Sequence, residues 1–526
     1  MASTAPPLRS LQRDRSSPAR KQSRTGVFAA SALTFFAVII HGYHPYAEDG
    51  GLYLAGVKRV LHPDLYPYWT GFTTAHLRFS LFAPMVAVLV RASHLSLMTV
   101  MLFLYVATIW ATLFAAWRLA LRCFPRTEEC FAAVSFLALL LTVPVAGTSL
   151  MLMDPYVSAR SISTPCGLFA LVAVSDITRQ INQRERISWR DVFVCLGALF
   201  LAILIHPLMG AYALGSSLVL AIGNLIGKKS QWVAYGALAI LAILLAAVLL
   251  ALAPAVPSGY MEVARTRTYW FLSTWHWYEI VGLIAPLLVL AMFRARPRLL
   301  PNETVKSFSQ MGLIIGVLST GIALLFARLD MSSYAVAKLQ PLRALQIVYF
   351  VTIIFVGAML GRFVLKRIVW RWAGMFATLG ALMAFVQLLL FPGSSHLEMP
   401  WSTPTNPWEQ AFVWIRNNTP TDAVFAVDAA YINAPGEDAQ NFRAIAERSV
   451  LPDYSKDGGI ASIAPDLTSE WLKGQSAQMG LTGATDAHRI AMLRPFGVEW
   501  IVLPINATTH LPCDYTNREV KVCGVP

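Results

Sequence analysis

The richest concentration of chemistry-bearing side chains lies between His41 and Pro67, in HGYHPYAEDGGLYLAGVKRVLHPDLYP. An adjacent acid pair, Glu48-Asp49, precedes two glycines and then Lys58 and Arg59. Such carboxylates can take a proton from a hydroxyl as general base, or simply favour the positive end of a helix starting there. MLMDPYVSARSISTP adds Asp154, a second acid or an Asp-Pro turn. It also adds Arg160, whose planar fork suits a phosphate but which can equally snorkel to headgroups. His206, in LAILIHPLMG, either walls a site or bonds turn backbone. RTRTYWFLSTWHWYE packs Arg265 and Arg267 with Trp270, Trp275 and His276. Those rings form an interfacial belt, or a platform for a sugar whose phosphate meets the arginines. Lys338 and Arg343, in RLDMSSYAVAKLQPLRALQ, are membrane anchors or ligands of an anion.

These groups need elements that bring them to one place. The chain has 526 residues, of which 56% are hydrophobic and 13% charged, where a soluble domain carries roughly 25% charged residues. Apolar runs approaching the roughly 20 residues needed to cross a bilayer recur along it. Eleven are read as spans, beginning near Gly26, Leu97, Phe131, Ser163, Val192, Met209, Trp232, Tyr278, Ser309, Ala344 and Trp372. Leu81 to Val90 is short, contains Pro84 and ends at Arg91, and reads as a juxtamembrane or re-entrant helix. With the N-terminus inside, the inner segments carry 23 Lys/Arg and the outer ones before residue 392 only ten, while acids divide seven and seven. The positive-inside rule counts Lys/Arg, so this orientation is expected. It also accounts for the net charge of +13 without a nucleic-acid partner. His41 to Ser96, Ala146 to Ile162, His206-Pro207, Pro254 to Trp277 and Arg328 to Arg343 then share the extracytoplasmic face.

The expected layout has three parts. Residues 1–25 form a disordered basic cytoplasmic tail. Residues 26–391 form the transmembrane domain, with its outer loop at 42–96. Residues 392–526 carry nine Lys/Arg against fifteen Asp/Glu and form an extracytoplasmic domain. There WEQAFVWIRNN and Ala487 to Leu493 read as helices, and DAVFAVD and VEWIVLP as strands. Alternating helix and strand give a small α/β domain of about 120 residues. The fold class is therefore mainly α, a polytopic transmembrane helix bundle with a small α/β C-terminal domain. Cys513 and Cys523 are either bridged or two free thiols. No phosphate-binding glycine loop, zinc-ligand spacing or internal repeat is present.

The outer face thus combines acids that can abstract a proton, cations that can stabilise a departing phosphate, and rings that can stack on a sugar. That is the chemistry of sugar transfer from a polyprenyl-phosphate donor. Gly50-Gly51 would let the chain turn from the acid pair into an amphipathic surface helix.

The order of parts resembles the GT-C superfamily of membrane glycosyltransferases. PYAEDGGLYLAGVKRVLHPDLYP resembles its acidic pair and first juxtamembrane helix. HLRFSLFAPMVAVLVRASHLSL resembles the second, and MTVMLFLYVATIWATLFAAWRLALRCF the second span. The resemblance covers mainly residues 26–125 and implies Asp49 as catalytic base, Glu48 assisting or substituting for it, and Asp154 in the place of a second acid. The outer face lacks the Asp-x-Asp found in some members, so no metal or other cofactor is expected; a divalent metal is possible but unsupported. EDGGLYLAGVKRVLHPDLYP, SARSISTPCGLFAL, KLQPLRALQIVY and AERSVLPDYSKDGG resemble segments of bacterial membrane proteins of the same layout. These likenesses imply a multi-pass protein of the bacterial inner membrane, with a lipid-linked sugar donor, membrane lipid and an extracytoplasmic acceptor as partners. The competing reading is a transporter or lipid- and envelope-assembly protein using the same outer cavity without chemistry. Against it, the central spans hold few charges of the kind that proton- or ion-coupled transport needs.

Overall fold

The computed structural model describes residues 17–296 and 298–526, so the tail expected over 1–25 falls mostly outside the described residues. Helix α1 (Ser17–His41) leads into α2 (Glu48–Leu61), the one-turn α3 (Gly71–Thr74) and α4 (Phe82–Ser93). There follow α5 (Leu97–Cys123), α6 (Thr127–Leu139), α7 (Ala159–Asn182), α8 (Trp189–Ile205), α9 (Pro207–Leu225) and α10 (Lys228–Ala251). After the short α11 (Tyr260–Arg265) come α12 (Trp277–Ala295), α13 (Glu303–Phe326), α14 (Leu345–Leu360) and α15 (Val369–Leu390).

Among the described residues, nine helices are long and apolar enough to cross a membrane. All eleven expected spans are helical, but α6 has 13 residues and α8 has 17. At 1.5 Å per residue, α6 reaches only about 20 Å. The chain continues from it as an irregular buried segment, 140–158, folded back by bonds such as Val145 N to Leu150 O (2.7 Å) and Leu152 N to Val143 O (3.1 Å). Gln346 on α14 donates to the Leu152 carbonyl at 2.9 Å and pins this segment. The Leu81–Val90 run belongs to a helix pair, Gly71–Arg78 and Phe82–Ser93, bent by 98°.

The chain then forms α16 (Pro407–Asn418), β1 (Val424–Val427), α17 (Phe442–Ala446), β2 (Ser449–Val450), α18 (Lys456–Ile463), α19 (Thr468–Gln478) and α20 (Asp486–Leu493). β3 (Trp500–Pro504), β4 (Cys513–Thr516) and β5 (Val520–Gly524) complete a five-stranded sheet of order β2-β1-β3-β5-β4. β1 runs parallel to β2 and β3, whereas β5 runs antiparallel to β3 and β4. Successive strand residues face opposite sides. Phe425 and Val427 therefore pack under Phe412, Ile415 and Phe442, while Val424 and Ala426 join Leu481, Leu493 and Ile501. Cys513 and Cys523 are cross-strand partners and are disulfide-bonded.

This C-terminal portion packs directly on the loops between the spans. Leu52, Phe72 and Val263 share one apolar cluster with Ile460, Ala461, Leu467 and Trp471. Helix α2 is consequently not a surface helix: Gly50 to Lys58 are all buried except Tyr53, which is half-buried. Lys58 Nζ donates to the Ala444 carbonyl (2.7 Å) and to Glu447 (2.6 Å). Gly50-Gly51 serve close approach rather than a turn, since both are helical. A Cβ on Gly51 would lie 2.3 Å from Asn441 Cβ, and one on Gly50 2.9 Å from Tyr156.

Candidate functional site

Asp49 lies in the first turn of α2, where the helix dipole favours a carboxylate. The turn enters through an unusual backbone: Glu48 has φ +52°, and its amide donates at 3.0 Å to Ala439, itself at φ +56°. Left-handed non-glycine residues are disfavoured and persist where the surroundings over-determine them. Here the Tyr46–Glu48 segment is held by an Asn441 N to Tyr46 O bond (3.1 Å) and an Ala47–Gln440 bridge.

Arg160 opens α7, which starts with a capping box between Ser158 and Ser161. A cation in a first helical turn opposes the dipole, so it needs acids, and it has two. Arg160 donates to Asp49 Oδ2 and to Asp154 Oδ2, each at 2.9 Å, and thereby ties its own stretch to the start of α2. The Arg160 and Asp154 side chains are 6% and 7% exposed, whereas Asp49 keeps 32% of its surface. Burial raises the Asp154 carboxyl above its usual range, and the Arg160 charge works against that rise.

The C-terminal portion supplies a group that sequence reasoning missed. Lys456, the first residue of α18, pairs with Glu48 Oε2, and its Nζ stands 3.7 Å from Asp49 Oδ1. Burial pulls its ammonium down to about 8. Its only sequence signal was its place in AERSVLPDYSKDGG, far from every span. The acid pair therefore does more than favour a helix terminus: both members are ion-paired to distant cations.

Arg343 approaches the same cluster from the start of the Ala337–Leu365 span, within electrostatic reach of Arg160 and Asp49. It forms no ion pair among the described residues, its buried Nε lacks a partner, and its guanidinium lies 5.6 Å over the Tyr269 ring. Together with Thr148, Trp270 and Gln340 it lines a small crevice. His206 caps α9, its Nδ1 accepting from Met209 N at 3.4 Å. It too lies within reach of the Arg160, Arg343 and Asp49 charges. Tyr53 and His76, ring centroids 5.2 Å apart, join the group and were not foreseen.

The aromatic loop is not gathered here as one platform. Arg267, expected to meet phosphate, is buried and spent on the Ser455 (2.6 Å) and Tyr454 (3.2 Å) carbonyls. Trp270 is 1% exposed and has no free face for a sugar. Trp275 packs on Gly147, where a Cβ would sit 2.3 Å from its ring. His276 is exposed, caps α12 with Glu279 and stacks on Tyr278. Arg265, also exposed, donates to Tyr334 (3.0 Å), and Lys338 is half-buried. A larger recess of about 550 Å³ between α1, α6 and α15 is lined by Leu33, Phe36, Ile40, Phe131 and Phe376. It has no titratable side chain and no acid–base chemistry. Among the described residues, no three His, Cys, Asp or Glu are grouped to hold a metal ion.

No protein-family model matches the chain, and no curated protein does. Among solved structures, the archaeal oligosaccharyltransferase AglB from Archaeoglobus fulgidus, in complex with an inhibitory peptide and a dolichol-phosphate, aligns at 12% identity with a TM-score of 0.49. That alignment covers 91% of this chain and 69% of the other. The apo form of the Archaeoglobus fulgidus oligosaccharyltransferase gives 11% and 0.47, with the same coverage. Its complex with Zn and sulfate gives 12% and 0.43, covering 91% and 68%. At likenesses of this depth, the chemistry has to be read from the side chains themselves.

Proposed function

We propose that this chain is a membrane glycosyltransferase that moves a sugar from a polyprenyl-phosphate donor to an acceptor hydroxyl, with Asp49 as general base. The observation that carries the reading is the convergence of Asp49, the Asp154–Arg160 stretch and Lys456 from three parts of the chain, with Arg343, which forms no ion pair among the described residues, beside them. Asp49 Oδ2 is taken by Arg160, while Oδ1 has its nearest cation at 3.7 Å, beyond hydrogen-bond distance. Oδ1 is the oxygen open to an incoming hydroxyl, and the partial exposure of Asp49 admits one.

In this mechanism the acceptor hydroxyl gives its proton to Asp49 as its oxygen attacks the sugar carbon. The bond from that carbon to the phosphate oxygen breaks, and the electron pair leaves on the phosphate. Arg343, which forms no ion pair among the described residues, stabilises that developing charge. Arg160 orients Asp49, and Asp154 holds Arg160. The cationic work falls to side chains, so no metal is invoked. The site faces the extracytoplasmic side in this reading, supported by the Lys/Arg asymmetry and by the Cys513–Cys523 bridge, which needs an oxidising compartment. Residues 392–526 then lie on that side, where they bring Lys456 to the acid pair.

The test is transfer from a panel of polyprenyl-phosphate sugars by the purified, membrane-reconstituted protein. Asp49→Asn should lose about 100-fold or more of the rate while inserting normally. Full activity of that variant would discard Asp49 as base. Donor binding without any transfer by the wild type would favour the transport or lipid-binding reading.

A further inference from the structure

Lys456, whose side chain is 14% exposed, starts α18 at the end of a loop that is bonded along its length. Arg443 clamps Asp457 through both carboxylate oxygens at 2.8 Å and donates to the Val450 carbonyl at 3.0 Å. Asp457 Oδ2 accepts from Asp453 N (2.8 Å), and Asp453 Oδ1 accepts from Lys456 N (2.6 Å). Trp471 Nε1 holds the Asp453 carbonyl at 2.9 Å. Gln475 and Gln478 both donate to the Pro452 carbonyl, at 2.8 and 2.9 Å. Arg267, from between α11 and α12, crosses over to the Tyr454 and Ser455 carbonyls. Every residue from Pro452 to Asp457 is thus bonded at backbone or side chain, and the product of that rigidity is one ammonium group aimed at the acid pair.

We propose that Lys456 is a positioning residue for the acid pair: it draws Glu48 aside and stands as counter-charge at Asp49 Oδ1, so the site is complete only with the C-terminal portion docked. The inference rests on reading Asp49 as the base. Glu48 and Asp49 are neighbours at one helix start and repel each other when both are ionised. Lys456 meets Glu48 directly and Asp49 at 3.7 Å, while Arg160 takes the other Asp49 oxygen. The other charged or titratable groups facing Asp49 among the described residues are Asp154 and Tyr156 before α7, His76 after α3, His206 at the start of α9, Arg343 at the start of its span, and Tyr53 on α2 itself. Among the described residues, only Lys456 and Arg160 form ion pairs with Asp49. An opposite charge within about 4–6 Å lowers a carboxyl by roughly 1–3 pH units. Lys456 is therefore the cation that meets both members of the acid pair, whereas Arg160 meets Asp49 alone.

The test is carbodiimide labelling of Glu48 and Asp49 in the full-length protein across a pH series, read by mass spectrometry of the peptide that carries them. Carbodiimide captures the protonated carboxyl and needs no sugar transfer. Lys456→Met should move the labelling midpoint upward, giving about tenfold more label at a pH one unit above the wild-type midpoint. Lys456→Arg, which keeps the charge, should restore the wild-type curve. Arg267→Gln leaves Lys456 in place but loosens its loop, and should shift the midpoint in the same direction by less; it decides the matter if Lys456→Met fails to fold. An unmoved midpoint in a folded Lys456→Met or Arg267→Gln protein overturns the proposal, as does a Lys456→Arg curve matching Lys456→Met. Such a result beside an inactive Asp49→Asn variant would leave the enzymatic reading standing. A shifted midpoint beside a fully active Asp49→Asn would remove that reading and keep the ion pair.

Discussion

Replacing Arg160 with methionine isolates the interaction around which the site is organised. Its guanidinium makes two charge-assisted bonds of 2.9 Å, to Asp49 and Asp154. Methionine preserves much of the apolar volume and removes the charge. Asp154, 7% exposed, is then a buried carboxylate with no ion-pair partner among the described residues, and breaking a buried pair this way costs about 3–5 kcal/mol. Asp49 adds little to that cost, because it is 32% exposed and keeps Lys456 nearby. The deficit must depend on pH. Burial raises the Asp154 carboxyl even with Arg160 present, and without Arg160 it rises further. A carboxyl raised in the folded state holds a proton that the unfolded chain releases, so stability falls as pH increases between the two values. The Arg160→Met deficit should accordingly be smallest at acid pH, where Asp154 is protonated, and grow as pH rises through its raised value. Adding Asp154→Asn, which removes the stranded charge, should recover about 1–3 kcal/mol. Denaturant or thermal unfolding in detergent at several pH values measures all three. An Arg160→Met protein within about 0.5 kcal/mol of wild type, or a deficit that ignores pH, would refute the argument that the two acids depend on this arginine.

Two further outcomes concern the framework. Cys513 and Cys523 close a short loop, with a sequence separation of 10; opening it in a Cys513→Ser/Cys523→Ser variant should cost about 2–3 kcal/mol. A reductant should then lower the unfolding midpoint of the wild type and leave the variant's unchanged. Ala439 sits at φ +56° where it receives the Glu48 amide, so Ala439→Gly should stabilise the junction by about 1 kcal/mol, seen as a higher unfolding midpoint; a lower midpoint would mean that the alanine methyl contributes packing worth more than the strain.

What the sequence determined by itself was most of what local period governs. Spans such as Leu97–Cys123 announce themselves because an uninterrupted apolar run has few alternatives to a membrane helix. α16, β1, α20 and β3 were legible from local pattern, and Leu81–Val90 from its shortness and Pro84. The acid pair, Asp154 and Arg160 stood out because charge beside apolar runs is costly without a partner. Who that partner is cannot be read from spacing. Asp49 and Arg160 are 111 positions apart, and Glu48 and Lys456 are 408 apart. Such pairings depend on how helices and the C-terminal portion dock, which no local period encodes. Arg267 makes the same point from the opposite side. In sequence it looked like a phosphate ligand among aromatics, but docking consumes its donors on the carbonyls that lead to Lys456. The shortness of α6 also belongs to tertiary structure: Val143, Val145 and Leu152 are apolar enough to continue a span, yet they fold back because Gln346 and their mutual backbone bonds satisfy the polar groups a helix would have paired. The sequence determined which residues could do chemistry and near which apolar segments they sit; the tertiary structure decided which charges meet, because a buried charge is stable only beside its counter-charge.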